Sequence, residues 1–397
     1  MPPMNSSNGG GSGASIGVIG GGQLAQMLVE AAAKRSVTVA VQTASVQDPA
    51  AAGASRLVQA DALDPDATRG LVEGCIAVTF ENEWIALDAL QPLERQGVSF
   101  RPSLASLAPL VDKIEQRELL DALSIPGPDW VPLRSIDPGA PSLPKGWTFP
   151  VMAKAARGGY DGKGTRVLDS IDALAHLLRS VDPAGWLLES WIDYEQELAL
   201  IVSRDRFGRV RSLPLVETHQ SHQVCDWVLA PASVEQLVEA TAYNMAASLL
   251  TKLSYVGVMA LEFFYGPAGL MVNEIAPRTH NSGHFSIEAC SSSQFDQQLC
   301  ITADLPVPDP ELICPGALMV NLLGLQAEQA APLEERLQRL QQLSGAHLHW
   351  YGKNDESPGR KLGHVTVLLE SDGVDQRSRE AADRLKVIRS IWPLPLN

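Results

Sequence analysis

Short apolar runs alternate with helical stretches across residues 16–100, and that alternation restricts the fold more than any other feature of the chain. IGVIG (16–20) reads as a strand, and GGQLAQMLVEAAAK follows with apolar residues at helical spacing. VTVAVQ gives a second strand, RLVQAD a third, and IAVTFEN a fourth after a helix containing Thr68 to Glu73. Strands and helices in that order predict a small parallel sheet with helices on both faces.

The pattern changes after residue 108. A helix ending near Ser124 leads into a proline-rich turn, and from 149 to 193 two strands flank a glycine-rich loop, followed by a helix over 170–181 and the strand WLLES. This reads as a compact α+β unit, a mobile lid over about 125–188. ELALIVSRDRFGRVRSLPLVE predicts a hairpin turning at Phe207 and Gly208, 233–253 a long amphipathic helix, and VGVMALEFFYGPAGLMVNEIAP a second hairpin turning at GPAG. The expected organisation is a flexible tail (1–15), a βαβ domain (16–108), a central domain (109–310) and a smaller α+β region (311–397). A solvated helix rich in Gln and Glu is expected over 326–343.

The formal net charge of −15 argues against a nucleic-acid partner, which requires a broad basic face. An anionic ligand must instead be met by clustered cations. No apolar run has membrane-spanning length and the first residues lack a signal-peptide core, so a cytoplasmic protein with no membrane partner is expected. The five scattered cysteines show no metal-site spacing and fit a reducing compartment.

KAARGGYDGKGTRV (154–167) places Lys154, Arg157, Lys163 and Arg166 around a loop containing four glycines. It is no Walker loop, because residue 164 is Gly where Ser or Thr should meet magnesium, and two strands flank it. A lysine projecting from a strand, with glycines from Gly158 to Gly164 that let backbone N–H groups approach, suits phosphate oxygens. A hairpin tip with solvated charges would read the same way. Gly20 to Ala25 satisfies G-x-G-x-x-A, yet the second strand ends in Gln42 where a dinucleotide fold places a ribose-binding acid. An anion subsite or a plain tight turn fits those glycines at least as well.

In the second hairpin, Glu262 faces residue 273 or 274 across the turn, roughly 5 Å away. Two acids among apolar neighbours repel each other, and burial adds to the cost. A divalent cation resolves both problems, and the oxygen donors of Glu262, Asn273 and Glu274 suit magnesium or manganese. The dull alternative turns one acid to solvent or pairs it with Arg278. Arg278, His280, Asn281, Ser282 and His284 follow, too polar for a core strand. Lys353, Arg360 and Lys361 sit on a later Gly/Pro turn.

A strand lysine, a glycine-rich cover loop and paired acids with Asn on a later hairpin together resemble the ATP-grasp enzymes. GGGQL, TFEN, GGYDGKG, VNEIAPRTHNSGHFSIEAC, HLHWYGK and PGRKLGHVTV, in that order over about 16–370, resemble the N5-carboxyaminoimidazole ribonucleotide synthetase family. The resemblance implies an ATP-grasp fold of mixed α/β and α+β class, with an N-terminal Rossmann-like preATP-grasp domain and a small C-terminal domain. It implies ATP bound by Lys113, Lys154, the loop Gly158, Gly159, Tyr160, Asp161, Gly162, Lys163 and Gly164, the hinge Glu189, Ser190, Trp191 and Ile192, and Glu197, His222, Asn273 and Glu274. Magnesium would lie on Glu262, Asn273 and Glu274. Aminoimidazole ribonucleotide would meet Gly22, Gln23, Leu24, Glu81, Asp161, Lys163, Arg278, His280, Asn281 and Ser282, with its phosphate near Lys353, Arg360 and Lys361. Lys154, Asp161, Lys163 and Arg278 would be the catalytic set.

Three departures from the family pattern stand out: Lys113 where Arg is usual, Ala25 and Gln26 after the first glycines, and ESWI at the hinge. The implied reaction is ATP- and bicarbonate-dependent carboxylation of the ribonucleotide through carboxyphosphate, in purine biosynthesis, by a homodimer. A formate-using ligase or a biotin carboxylase on the same fold, an NAD-dependent oxidoreductase and a catalytically dead nucleotide-binding protein are the competing readings.

Overall fold

The computed structural model describes residues 14–159, 164–326, 331–353 and 356–395. Its N-terminal part runs β1 (Ser15–Ile19), α1 (Gln23–Ala33), β2 (Thr38–Thr43), β3 (Arg56–Gln59), α2 (Pro65–Leu71), β4 (Ala77–Phe80) and α3 (Leu87–Arg95). The strands lie in the order β3-β2-β1-β4, all parallel, as the alternation predicts. The second helix includes Thr68 but ends at Leu71, short of Glu73. Asp64 accepts from the N–H groups of Asp66 and Ala67, and Pro65 occupies the first turn, so Asp64-Pro65 sets its start.

Past α4 (Leu104–Leu107), the helix α5 (Lys113–Ala122) begins at an Asp112 cap. Then β5 (Trp130–Pro132), β6 (Val151–Ala155), β7 (Thr165–Leu168), α6 (Ile171–Ser180) and β8 (Trp186–Ser190) form a separate antiparallel sheet, β5-β8-β6-β7. Leu174, Leu177 and Leu178 of α6 pack on its apolar side.

The largest sheet collects β9 (Gln196–Arg204), β10 (Val210–Ser212), β11 (Val216–Ser221), β12 (Val224–Ala230), β13 (Gly257–Gly266) and β14 (Gly269–Ala276). Helix α7 (Gln236–Lys252) covers it, and α8 (Ser286–Ala289) and α9 (Gln294–Thr302) follow β14. The C-terminal strands are not a separate layer. β15 (Gly316–Leu323), β16 (Ala346–Trp350) and β17 (Lys361–Leu369) extend this sheet, which runs β14-β13-β9-β11-β12-β15-β17-β16 with β10 on β9. The largest core joins β4 and α3 to α7, β9 and β13, so the N-terminal domain is seated on the central one by apolar contact.

The helix expected over 326–343 is shorter. Residues 327–330 lie outside the described residues, and α10 covers Leu333–Gln341 after Pro332. It is not wholly solvated: Leu340 is buried, and the Arg336 guanidinium lies 3.9 Å from the ring centre of Trp392, just past α11 (Val374–Ile391).

Candidate functional site

A cleft of about 590 Å³ opens where the four-stranded sheet, the β13–β14 hairpin and the C-terminal end of β4 meet. The carboxylates that sequence placed across the hairpin do face each other: Glu262 is the register partner of Glu274. The register then shifts, with Phe263 opposite Val272, so Asn273 is an extra residue in β14. Consecutive residues of a regular strand point to opposite faces; a bulge re-aims one of them. That is why Asn273 and Glu274 both reach the cleft with Glu262.

Three cations serve this end. Lys113 Nζ lies 2.5 Å from Glu274 Oε1, and Lys154 Nζ donates to Asn273 Oδ1 at 3.0 Å. Lys154 also pairs with Glu189 at 2.7 Å, which pairs in turn with Arg117 at 2.7 Å. Burial raises the Glu189 carboxyl, but Lys154 and Arg117 outweigh it and hold the group below its ordinary value. Burial likewise raises Glu274, yet Lys113 brings it down to about 2. Glu262 has no cation so close; burial and the charge of Glu274 push it up to about 7. Glu262 is an acid short of a positive partner, so the donor set fits a divalent cation. Among the described residues no group of three or more His, Cys, Asp or Glu converges as a metal site; the hairpin offers two carboxylates and an amide.

At the other end, Arg278 Nε donates to Glu83 Oε2 at 2.6 Å and Nη2 to Oε1 at 3.3 Å. His280 accepts at Nδ1 from the Ser282 backbone N–H, which leaves its proton on Nε2, 3.7 Å from Glu262. Burial, Arg278 and Lys361 depress its pKa to about 3, so the imidazole is neutral. Asn281 reaches the cleft wall, but its side-chain amide is exchanged with that of Asn321 on β15, at 2.9 and 2.7 Å. Ser282 is buried behind His280 and does not line the cleft. Lys361 lines it; Lys353 and Arg360 do not, and Lys353 Nζ donates to the Lys361 carbonyl at 2.7 Å.

The glycines after β1 are filled from within. Glu81 accepts from the N–H of Gly22 at 2.6 Å and of Leu24 at 3.2 Å, so the chain's own carboxylate occupies the start of α1. Burial raises the Glu81 pKa, and the amides of Gly22, Ala25 and Leu24 recover only part of the shift. Gln42 is buried and spends its amide on Asp61 and Asp64 carbonyls, so β2 offers no ribose-binding acid and the dinucleotide reading has no support here. Gln23 and Leu24 do line the cleft beside Glu81.

Ser190, Trp191, Ile192 and Glu197 line the far wall with Gly159. Glu189 points inward to its cations. Gly158 and Gly164 have φ of +75° and +82°, turns that favour glycine. Tyr160, Asp161, Gly162 and Lys163 lie outside the described residues. Arg157 pairs with Asp112 at 2.9 Å, and Arg166 lies over Trp186, so neither faces the cleft. His222 is an expected contact that the structure does not bring in. It sits exposed at the β11–β12 turn with φ +52°, and Gln220 and Gln223 line the cleft instead, because a register shift after His219 re-aims that strand end.

Sequence reasoning missed several residues of the site. Glu83 follows the end of β4, where the chain bends over 81–83 and Asn82 and Trp84 line the cleft as well, so no strand period marks it. Tyr194, which stacks on Phe264 at 4.5 Å and donates to Glu197 at 2.5 Å, and Arg117 carried no local signal.

Comparison with known families matches residues 118–295 to the ATP-grasp domain. Residues 14–109 match the ribonucleotide synthetase preATP-grasp domain, and 317–377 the phosphoribosylaminoimidazole carboxylase C-terminal domain. The series defines an ATP-grasp enzyme. N5-carboxyaminoimidazole ribonucleotide synthase of Synechococcus elongatus is 46% identical over 96% of this chain and 96% of its own. Two crystal structures from Aspergillus clavatus superpose closely. The carboxyaminoimidazole ribonucleotide synthase complexed with ATP has a TM-score of 0.84 at 30% identity, covering 96% of this chain and 99% of that one. The synthase in complex with ADP and 5-aminoimidazole ribonucleotide has a TM-score of 0.83 at 29% identity, with the same coverage. The chain belongs to the N5-carboxyaminoimidazole ribonucleotide synthase family.

Proposed function

We propose that this chain carboxylates the exocyclic amine of 5-aminoimidazole ribonucleotide at the expense of ATP and bicarbonate. The products are N5-carboxyaminoimidazole ribonucleotide, ADP and phosphate, as a step of purine biosynthesis. The observation that carries the reading is one cleft with a cation-seeking acid pair beside Lys154 at one end and Arg278 with neutral His280 at the other. Bicarbonate is a poor electrophile, so the amine needs it activated; attack of bicarbonate on the γ-phosphorus of ATP gives carboxyphosphate and ADP. The amine then attacks the carboxyl carbon, or the carbon dioxide released from it, and inorganic phosphate leaves.

Lys154 and the loop amides would neutralise the charge that spreads over the transferred phosphoryl group. Glu262, Asn273 and Glu274 would hold magnesium or manganese, which when bound neutralises phosphate charge. Lys113, paired with Glu274, would be a second cation on the nucleotide side of the acid pair. Arg278, steadied by Glu83, offers its remaining N–H groups to the carboxylate being transferred. Uncharged His280 can donate Nε2–H without adding a competing cation. Glu81, Gln23, Leu24 and Lys361 form the wall for the ribonucleotide.

Carboxyphosphate hydrolyses readily, so exclusion of water is required, and the small β5-β8-β6-β7 sheet with its glycine loop is read as the closing part. A cytoplasmic location and a homodimer are read from the family resemblance, and no disulfide links the five cysteines. Among the described residues no helix is long and apolar enough to cross a membrane.

The test is ADP and phosphate release with each substrate omitted in turn. Release that requires both aminoimidazole ribonucleotide and bicarbonate, with labelled bicarbonate entering an acid-labile carbamate, is expected. Turnover with formate in place of bicarbonate would move the chain to the formate-using ligases.

A further inference from the structure

Arg117, on the buried side of α5, touches both halves of the cleft. Its Nε donates to Glu189 Oε1 at 2.7 Å, and Glu189 holds Lys154. Its Nη1 donates to the Val272 carbonyl at 2.9 Å and its Nη2 to the Asn273 carbonyl at 2.6 Å. Neighbouring carbonyls of a regular strand point to opposite edges, so one planar guanidinium cannot take both. Here it can, because Asn273 is the extra residue of the bulge. The bulge removes Asn273 from the ladder with β13, and the fork of Arg117 meets the two carbonyls left on one side. A single ammonium could not span the carboxylate and both carbonyls. Space for the fork is made by Gly127, where a Cβ would lie 3.3 Å from Arg117 Nη1 and 3.2 Å from the Val272 carbonyl oxygen.

We infer that Arg117 is a positioning residue for the reaction, clamping the bulge that turns Asn273 and Glu274 to one side and fixing, through Glu189, the lysine that faces them. The inference rests on the reading of Asn273 and Glu274 as metal ligands and of Lys154 as the phosphate contact. Arg117 comes from α5, Glu189 from the small sheet and Val272 and Asn273 from the large one, so the clamp sets the two sheets relative to each other where nucleotide would lie. Loss of an outer-shell partner of a metal ligand weakens binding or activity about 10–100-fold.

The experiment measures Mn²⁺ binding in the presence of ADP, by the spin-resonance signal of free Mn²⁺, for wild type, Arg117→Met and Arg117→Lys. Near-UV circular dichroism reports the folded fraction. Arg117→Met should bind Mn²⁺ about 10–100-fold more weakly. Arg117→Lys, which is expected to fold even if the Met variant does not, should fall between. In an Asn273→Ala background the further loss from Arg117→Lys should shrink, because one of the two ligands that Arg117 positions is gone. Wild-type affinity in folded Arg117→Lys, or losses that simply add in the double variant, would overturn the inference while leaving the functional reading intact. Failure of the wild type itself to bind Mn²⁺ with ADP would remove both.

Discussion

At Gly20 an added Cβ would lie 2.7 Å from Glu81 Cβ, and at Gly21 and Gly22 it would collide with Thr43 and Glu81; at Gly158 it would meet nothing within 4 Å. Both turns are glycine-rich, both sit beside a strand end, and both could cradle an anion. The first has no side-chain room because the protein's own carboxylate already takes the amides at the start of α1. The second keeps glycine for backbone freedom, with positive φ at Gly158 and Gly164 and open space around Gly158. Glycine therefore answers two different demands here: close approach to Glu81 at the first turn, and a left-handed backbone with open space at Gly158.

The contrast can be broken most sharply beneath the cover. Glu262→Gln should lower kcat/KM at least about 100-fold, since even outer-shell partners of a metal cost that much. It should not destabilise the metal-free protein at pH 8. The Glu262 carboxyl is raised to about 7 when folded, so its contribution is greatest below the ordinary carboxylate range and is lost as pH rises through about 7. Thermal unfolding with a chelator should show that loss in wild type and not in the variant; a variant less stable at pH 8 would count against the acid pair as described.

Gly22→Ala comes next. Overpacking against Glu81 should cost about 1–3 kcal/mol of stability, read by denaturant unfolding. The KM for ATP of the folded fraction should stay unchanged. Gly158→Ala should show the opposite balance: about 1 kcal/mol from the left-handed backbone, with a loss of kcat/KM larger than that stability change explains. Equal behaviour of the two variants would abolish the distinction.

The smallest effect concerns an exposed pair away from both turns. Arg101, past α3, holds Asp304, past α9, through bonds of 2.7 and 2.9 Å, and those bonds keep the Asp304 carboxyl below its ordinary value. A depressed carboxyl stabilises the fold above the ordinary carboxylate range and loses that effect as pH falls through it. Asp304→Asn should therefore cost under about 1 kcal/mol at pH 7 and flatten the acid limb of the stability profile, with activity unchanged.

Much of the site was legible because its signals are local. The hairpin acids, the strand lysine and the loop glycines each lie within a few residues of the turn that places them; pairing across GPAG brings Glu262 opposite residue 273 or 274, and the bulge decides for Glu274. His222 rested on the family resemblance alone; it sits exposed at the β11–β12 turn, away from the residues that line the cleft. Glu83 carried no such signal, since the chain bends over 81–83, and neither did the Asn281–Asn321 amide exchange, a contact between distant strands and loops.

The sequence by itself determined the order of strands and helices, the parallel N-terminal sheet and the placing of two carboxylates on one hairpin, because hydrophobic period and turn residues act over a few positions. Only the tertiary structure decided that Glu81 fills the first glycine turn, that Asn273 bulges so that both it and Glu274 enter the cleft, and that Arg117 holds that bulge. Those outcomes depend on groups far apart in the chain, 155 residues between Arg117 and Val272. Burial selects such partners, since a buried charge or carbonyl must find its complement wherever the packed chain brings one.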